Sequence, residues 1–300
     1  LRLSTIFSTS HCNSAGIWQN ACKVESNKQK INYMKVGLFG ANGRMGRVLI
    51  EALDQSENAE LSVATVRDDS PWVNMNVGEL AGIGKKAVNC SAMSSLTAND
   101  ADVMIDFTLP VIFETNIAWC VAHKMPVVIG TTGLSEEQLA TLKEASKQIP
   151  IVFAANYSVG VNLMLSLVRQ AASVLGNTAD IEITEAHHRF KQDAPSGTAM
   201  AIGEAIADEL GRDLKTCAVY GREGKEPERD QGTIGFATVR AGDIVGEHTA
   251  LFADIGERLE ITHKASSRLT FAKGAVHAAT WVHGKDAGLY SMVDVLNLKL

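Results

Sequence analysis

The sequence predicts an α/β protein, with a parallel-sheet domain followed by a smaller α+β domain that carries a mixed sheet. Three observations predict it. A short strand of the buried kind, Lys35 to Phe39, runs through a glycine turn straight into a helical pattern. Strand and helix patterns then alternate as far as Ser158, as they do in βα units. Beyond Val159 the alternation stops, and one long apolar helix is followed by strand-like runs joined by short turns.

Composition narrows the function classes. Three hundred residues, 46% apolar and 21% charged, suit one large or two moderate globular domains. A net charge of −6 without a long basic run argues against nucleic acid or an anionic membrane as partner. No apolar run approaches the roughly 18 residues that span a bilayer. The five cysteines, Cys12, Cys22, Cys90, Cys120 and Cys217, are scattered and include no C-x-x-C pair, which points away from a disulfide framework or zinc site and towards the cytoplasm. Residues 1–33 are rich in Ser and Asn, lack periodicity and read as a disordered extension. A targeting peptide is the rival reading, since Glu25 is the only acidic residue there.

From Lys35 the elements follow in order. The turn Gly40-Ala41-Asn42-Gly43-Arg44-Met45-Gly46 lies between the first strand and the helical pattern Arg47 to Leu53. Glycine serves unusual φ there and lets a pyrophosphate approach backbone N–H groups at a helix start, so the context predicts a Rossmann-type dinucleotide site; tight strand–helix packing is the plainer use of the same glycines. The second strand, Leu61 to Val66, ends where a carboxylate usually takes the adenosine ribose, but this chain has Val66 and then Arg67. A guanidinium pairs a 2′-phosphate, which favours NADPH over NADH. Against this stands a solvated Arg67 with Asp68 or Asp69 supplying the carboxylate.

Three further units repeat the pattern. Val103 to Phe107 precedes a helix about Val111 to His123, and Pro126 to Ile129 ends in Gly130-Thr131-Thr132-Gly133. Ser135 and Gln138 form a capping box for the helix to Lys147, and Ile151 to Ala155 ends in Asn156-Tyr157-Ser158. Small and hydroxylated residues thus recur at the strand ends where an open parallel sheet binds ligand. Then come a helix Val161 to Leu175 capped by Gly176, a strand Asp180 to Ala186, a helix from about Thr198 to Leu210, a polar loop Gly221 to Gly232, and strands near Thr233 to Val239, Asp243 to Phe252 and Arg258 to His263. Helices are expected again at Phe271 to Trp281 and Met292 to Leu296. The expected division is a dinucleotide-binding domain over 34–158, completed by 268–300, and a substrate-binding and oligomerisation domain over 159–267.

The chemistry concentrates in Glu185 to Thr198, E-A-H-H-R-F-K-Q-D-A-P-S-G-T. Successive side chains of an extended segment face opposite ways, so His187 and His188 take two roles. Lys191 offers a positive charge and a proton, and Ser196-Gly197-Thr198 offers N–H groups at a helix start, together a pocket for a dicarboxylate. A metal site of Glu185, His187 and His188 would be crowded and lacks the helical i, i+4 spacing. Histidines merely solvated on a loop, and Ser196 as a nucleophile without an elbow motif, compete with the pocket as readings of the same residues.

These motifs resemble the 4-hydroxy-tetrahydrodipicolinate (dihydrodipicolinate) reductase family of the bacterial diaminopimelate and lysine pathway. The E-A-H-H-R-F-K-Q-D-A-P-S-G-T block carries most of the resemblance, with V-G-L-F-G-A-N-G-R-M-G, I-D-F-T, V-I-G-T-T-G, F-A-A-N-Y-S-V-G-V-N and G-T-I-G-F-A-T-V-R-A-G-D-I-V-G-E-H-T in support, from Met34 to about Leu300. The resemblance implies hydride transfer from a nicotinamide cofactor to a cyclic imine dicarboxylate. It makes His187 the proton donor/acceptor and Lys191 the proton donor, with His188, Gly197 and Thr198 on the substrate. The cofactor would contact Gly40, Ala41, Asn42, Gly43, Arg44, Met45, Arg67, Gly130, Thr131, Thr132, Ala154, Ala155, Asn156 and Tyr157. It also implies a homotetramer and no metal. Many members have Glu at the position of Val66, so NADPH is favoured here, with NADH use still possible. Competing readings are another NADP-dependent reductase of an amino-acid precursor, and a redox-sensing nucleotide-binding module without catalysis.

Overall fold

The computed structural model describes residues 33–298 apart from residue 226. The extension expected over residues 1–33 lies, but for Tyr33, outside the described residues. No helix among the described residues is long and apolar enough to cross a membrane.

Seven strands form the first sheet: β1 (Met34–Phe39), β2 (Ala59–Val66), β3 (Cys90–Ala92), β4 (Val103–Asp106), β5 (Val127–Ile129), β6 (Pro150–Phe153) and β12 (Gly288–Tyr290). Their order is β12-β6-β5-β4-β1-β2-β3, and every pairing is parallel. A parallel sheet is covered on both faces, and β4 is accordingly buried at every residue. On one face Val36, Leu38, Leu49, Ile50, Ala275 and Ala279 pack together, bringing α1 (Arg44–Asp54) against α8 (Leu269–Val282). On the other, Met104, Phe113, Ile117 and Leu142 bring in α3 (Pro110–Ala122) and α4 (Glu136–Ser146). The short α2 (Val77–Ala81) sits beside α1. This is the Rossmann-type parallel sheet that the βα alternation predicts.

The second sheet, ordered β11-β10-β7-β9-β8, comprises β7 (Asp180–His187), β8 (Ala218–Tyr220), β9 (Ile234–Arg240), β10 (Gly246–Asp254) and β11 (Glu257–Ala265). It is mixed: β10 runs antiparallel to β7 and β11, whereas β7 and β8 run parallel to β9. Helices α5 (Val159–Leu175) and α6 (Gly197–Glu209) cover one face through Met164, Val168, Ile202 and Ile206, packed on Ile181, Ile183, Phe236 and Phe252. On β7 the buried positions alternate, so Ile181, Ile183, Glu185 and His187 all point to that covered face. Two apolar residues and then two polar ones share one side of the strand.

Several boundaries differ from expectation for local reasons. α1 begins at Arg44, with Gly43 as N-cap, a turn before the periodic residues start. β10 begins at Gly246, not Asp243, because residues 241–245 turn the chain back; Ala241 N–H donates to the His187 carbonyl, and Arg189 N–H to that of Gly242. The three-residue strands β3, β8 and β12 and the four-residue α7 (Leu214–Cys217) are too short for periodicity to reveal. The last helix, α9 (Met292–Val295), is capped by Ser291.

Candidate active site

The carboxyl ends of β1, β4, β5 and β6 form one rim. Gly40 turns the chain at φ +69°, a left-handed conformation, and a Cβ there would lie 2.7 Å from Thr108 Cγ2. Thr108 is in turn held by Asp106, a carboxylate 1% exposed, which accepts from the Thr108 N–H and hydroxyl, from Asn116 Nδ2 at 2.9 Å and from the Thr131 hydroxyl. One buried acid therefore ties the turn after β1 to the loops after β4 and β5. Behind them Phe107 packs under Gly130 and lies 5.3 Å, ring to ring, from Tyr157.

The start of α1 suits an anion. Most helices here carry a side-chain cap, as Ser135, Ser158 and Ser196 do for α4, α5 and α6, but α1 has Gly43 at its N-cap with no side-chain bond and no acidic residue in its first turn. Its first-turn N–H groups are thus available to a phosphate, so the residues from Gly40 to Met45 fit a dinucleotide. At the end of β2 Arg67 is largely exposed and pairs with Asp69 at 3.5 Å, while Asp68 accepts from the Ser94 N–H. Of the expected cofactor residues, Tyr157 stands apart. Its ring is buried and its hydroxyl donates to the carbonyls of Ile129 and Val152, so its side chain belongs to the core.

The rim meets the start of α6. Asn156 Nδ2 donates to Thr198 Oγ1 at 3.2 Å, and the Asn156 carboxamide oxygen accepts from the Ser158 N–H. Ser196 caps α6 by accepting from the Ala199 N–H and shares a 3.0 Å hydrogen bond with His248 Nε2. Ser158, which caps α5, sits 3.4 Å from His263 Nε2. His248 and His263 are direct partners across β10 and β11. Ser196 is thus engaged on two sides, as the cap of α6 and with His248.

Cross-strand register assembles the rest. Thr238, Glu185, His248 and His263 stand in one row across β9, β7, β10 and β11, and Arg240 lies beside His187 in the next. Glu185 is 2% exposed and accepts from His187 Nδ1 at 2.6 Å and from both Arg240 terminal nitrogens at 2.8 Å. Burial pushes its carboxyl up, but hydrogen bonds and charge from Arg240 and His187 outweigh this and hold it below the usual carboxylate range. Burial pushes the His187 imidazole down, against the lift from Glu185 and with help from the charges of Lys191 and Arg240. His248, 5.1 Å from His187 ring to ring, is pushed down to about 4, chiefly by burial and next by the charge of His187.

Past β7 the chain turns, with Lys191 N–H on the His188 carbonyl, and Lys191 Nζ pairs with Asp193 Oδ1 at 2.9 Å. That contact, against a smaller upward push from burial, holds the Asp193 carboxyl below its usual range. His188 is half-buried, and its Nδ1 has no hydrogen-bond partner among the described residues. The structure thus gathers His187, His188, Lys191, Gly197 and Thr198 along one segment beside Asn156. Among the described residues no group of three His, Cys, Asp or Glu side chains is set to hold a metal ion. Sequence reasoning passed over Arg240, His248 and the role of Glu185. The E-x-H spacing on a strand was the available signal, since residues two apart share a face.

Residues 34–157 match the family model described as dihydrodipicolinate reductase, N-terminus, and residues 160–296 that described as its C-terminus. The chain is 68% identical over 264 residues to the 4-hydroxy-tetrahydrodipicolinate reductase of Pseudoalteromonas atlantica, an alignment covering 88% of this chain and 99% of the relative. In fold it is similar to a dipicolinate-bound dihydrodipicolinate reductase from Paenisporosarcina sp. TG-14, at TM-score 0.69 and 24% identity over 87% of this chain and 98% of that one. A probable dehydrogenase from Thermotoga maritima has the same general fold at TM-score 0.57 and 10% identity, over 87% and 92% of the two chains.

Proposed function

The chain belongs to the dihydrodipicolinate reductase family, and from that membership we propose how its cleft works. Its reaction is the NAD(P)H-dependent reduction of 4-hydroxy-tetrahydrodipicolinate, which loses water to give dihydrodipicolinate, to tetrahydrodipicolinate in diaminopimelate and lysine biosynthesis. We assign 34–158, completed by 268–300, to the dinucleotide-binding domain; β12 in the first sheet and α8 against α1 support this. Residues 159–267 are assigned to substrate binding and tetramerisation, supported by the exposed Val239 and Leu259 on the second sheet. The free thiols of Cys90, Cys120 and Cys217 support a cytoplasmic setting.

Gly40 to Met45, Arg67, Gly130 to Thr132 and the main chain of Ala154 to Tyr157 would hold the dinucleotide, whose nicotinamide, when bound, supplies the hydride. The phosphates fall to the uncapped start of α1. Val66 offers no carboxylate to a ribose and Arg67 offers an exposed guanidinium, so NADPH is preferred over NADH. His188, Gly197 and Thr198 bind the dicarboxylate; the unpartnered His188 Nδ1 and the start of α6 support this. Lys191 donates a proton to the ring nitrogen, and His187 exchanges a proton with the substrate beside it. The net proton taken up with the hydride enters through this pair.

The observation that carries the reading is the hydrogen bond from Asn156 to Thr198, which joins the dinucleotide rim to the substrate helix. The test is cofactor oxidation by purified protein, followed by nicotinamide absorbance, with substrate formed in situ from pyruvate and aspartate semialdehyde by the preceding synthase. Substrate-dependent oxidation that collapses in Lys191→Ala is expected. A folded protein that binds NADPH without turning over this substrate would overturn the reading.

A further inference from the structure

We propose that Glu185 is the positioning residue for His187, fixing the imidazole with its proton on Nδ1 so that Nε2 is the atom offered to substrate. The proposal rests on the reductase reading above. The carboxylate is fully engaged: Oε2 accepts from His187 Nδ1 and Arg240, while Oε1 accepts from Arg240, from the Ser196 N–H at 3.1 Å and from the Thr238 hydroxyl at 3.3 Å. An ionised carboxylate only accepts hydrogen bonds, so the ring nitrogen 2.6 Å away must carry the proton. A neutral imidazole has one N–H, so Nε2 holds the lone pair.

The surroundings keep that atom open. Nε2 has no hydrogen-bond partner among the described residues, and the strand position beside it is Gly246, where a Cβ would stand 3.1 Å from Nε2. Arg240 supplies the countercharge that keeps Glu185 ionised inside the fold, and its NH2 also donates to the Asp193 carbonyl at 2.6 Å. Glu185 grips Ser196 N–H at the far end of the same loop. One acid therefore sets the orientation of the ring and, with Arg240, the path of the segment that carries Lys191. This follows the general pattern in which a carboxylate behind a histidine chooses its tautomer.

The test reads the tautomer directly. Full-length protein labelled with nitrogen-15 in histidine is examined by long-range proton–nitrogen correlation, the His187 signals being identified by their loss in His187→Gln. Expected is Nδ1–H in the wild type at neutral pH, and a mixed or Nε2–H ring in Glu185→Gln, whose amide can donate to Nδ1 as well as accept from it. Glu185→Gln should lower kcat about 100-fold while KM for the dicarboxylate stays within about threefold, as for loss of a correctly placed acid–base group. Nε2–H in the wild type, an unchanged tautomer in Glu185→Gln, or an altered tautomer there with kcat undiminished would each overturn the proposal. The wild-type spectrum needs no turnover and no stable variant, so it separates a failure here from a failure of the reductase assignment.

Discussion

Asn156 Nδ2 donates to Thr198 Oγ1 across 3.2 Å, linking the end of β6 to the start of α6 over 42 residues of chain. Both partners are neutral, so the bond is worth about 1 kcal/mol net. A double-mutant cycle of Asn156→Ala and Thr198→Val on kcat/KM should give a coupling of that size. Strict additivity of the two losses would show that the bond does not join cofactor and substrate sites in the working enzyme.

Arg67 and Val66 make a separate prediction. Arg67→Ala should weaken NADPH about tenfold through loss of a charge-assisted contact to the 2′-phosphate, with NADH unchanged. Val66→Glu should raise the use of NADH relative to NADPH. The ratio of kcat/KM for the two cofactors is the measurement, and an unaltered ratio in both variants would remove the account of this corner.

Asp193 already pairs with Lys191, the proposed proton donor, and must release it before the ammonium can turn to the substrate. Because Asp193 is more than half exposed, the pair is weak, and a contribution of about 0.2–1 kcal/mol is expected. Asp193→Asn should therefore lower KM for the dicarboxylate by about 1.4- to fivefold, the same range expressed as affinity. Steady-state kinetics at fixed cofactor decide it; a raised KM would mean that Asp193 orients Lys191 instead of competing for it.

Acid should loosen the second sheet through its histidines. His248 titrates at about 4 in the fold against 6.5 when unperturbed, and burial also lowers His263. Below pH 6.5 the unfolded chain takes up a proton that the folded chain refuses, so stability falls as pH drops from about 6.5 to about 4. For His248 the loss is on the order of 3 kcal/mol once complete. Glu185, His187, Lys191 and His263 are the charged or titratable neighbours that shape it. Thermal midpoints recorded across that range should slope less steeply in His248→Gln than in the wild type.

What the sequence disclosed depended on how local the cause was. The strand–glycine–helix start, the Ser135 and Gln138 box and the helices near α5 and α6 arise from neighbours within a turn or two, and all were legible. Strand geometry also puts Glu185 and His187 on one face of β7, but the strand ends at His187, so the placing of His188 belongs to the turn that follows. Arg240 was not legible, because it reaches Glu185 through parallel register between strands 55 residues apart. The burial of the Tyr157 ring beside Phe107 was not legible for a related reason, since that contact spans separate loops of the sheet. Chain-local patterns reveal elements; a polar row across four strands exists only once the sheet has formed.

The serines that begin α5 and α6 are each held by a histidine on the same sheet, Ser158 by His263 and Ser196 by His248, and those histidines stand opposite one another on adjacent strands. Neighbouring strands keep a separation of about 4.8 Å whatever their side chains. The sheet therefore acts as a ruler for the mouth of the cleft: the gap between the two helix starts is copied from the spacing of the backbone ladder instead of being left to the loops that lead into them.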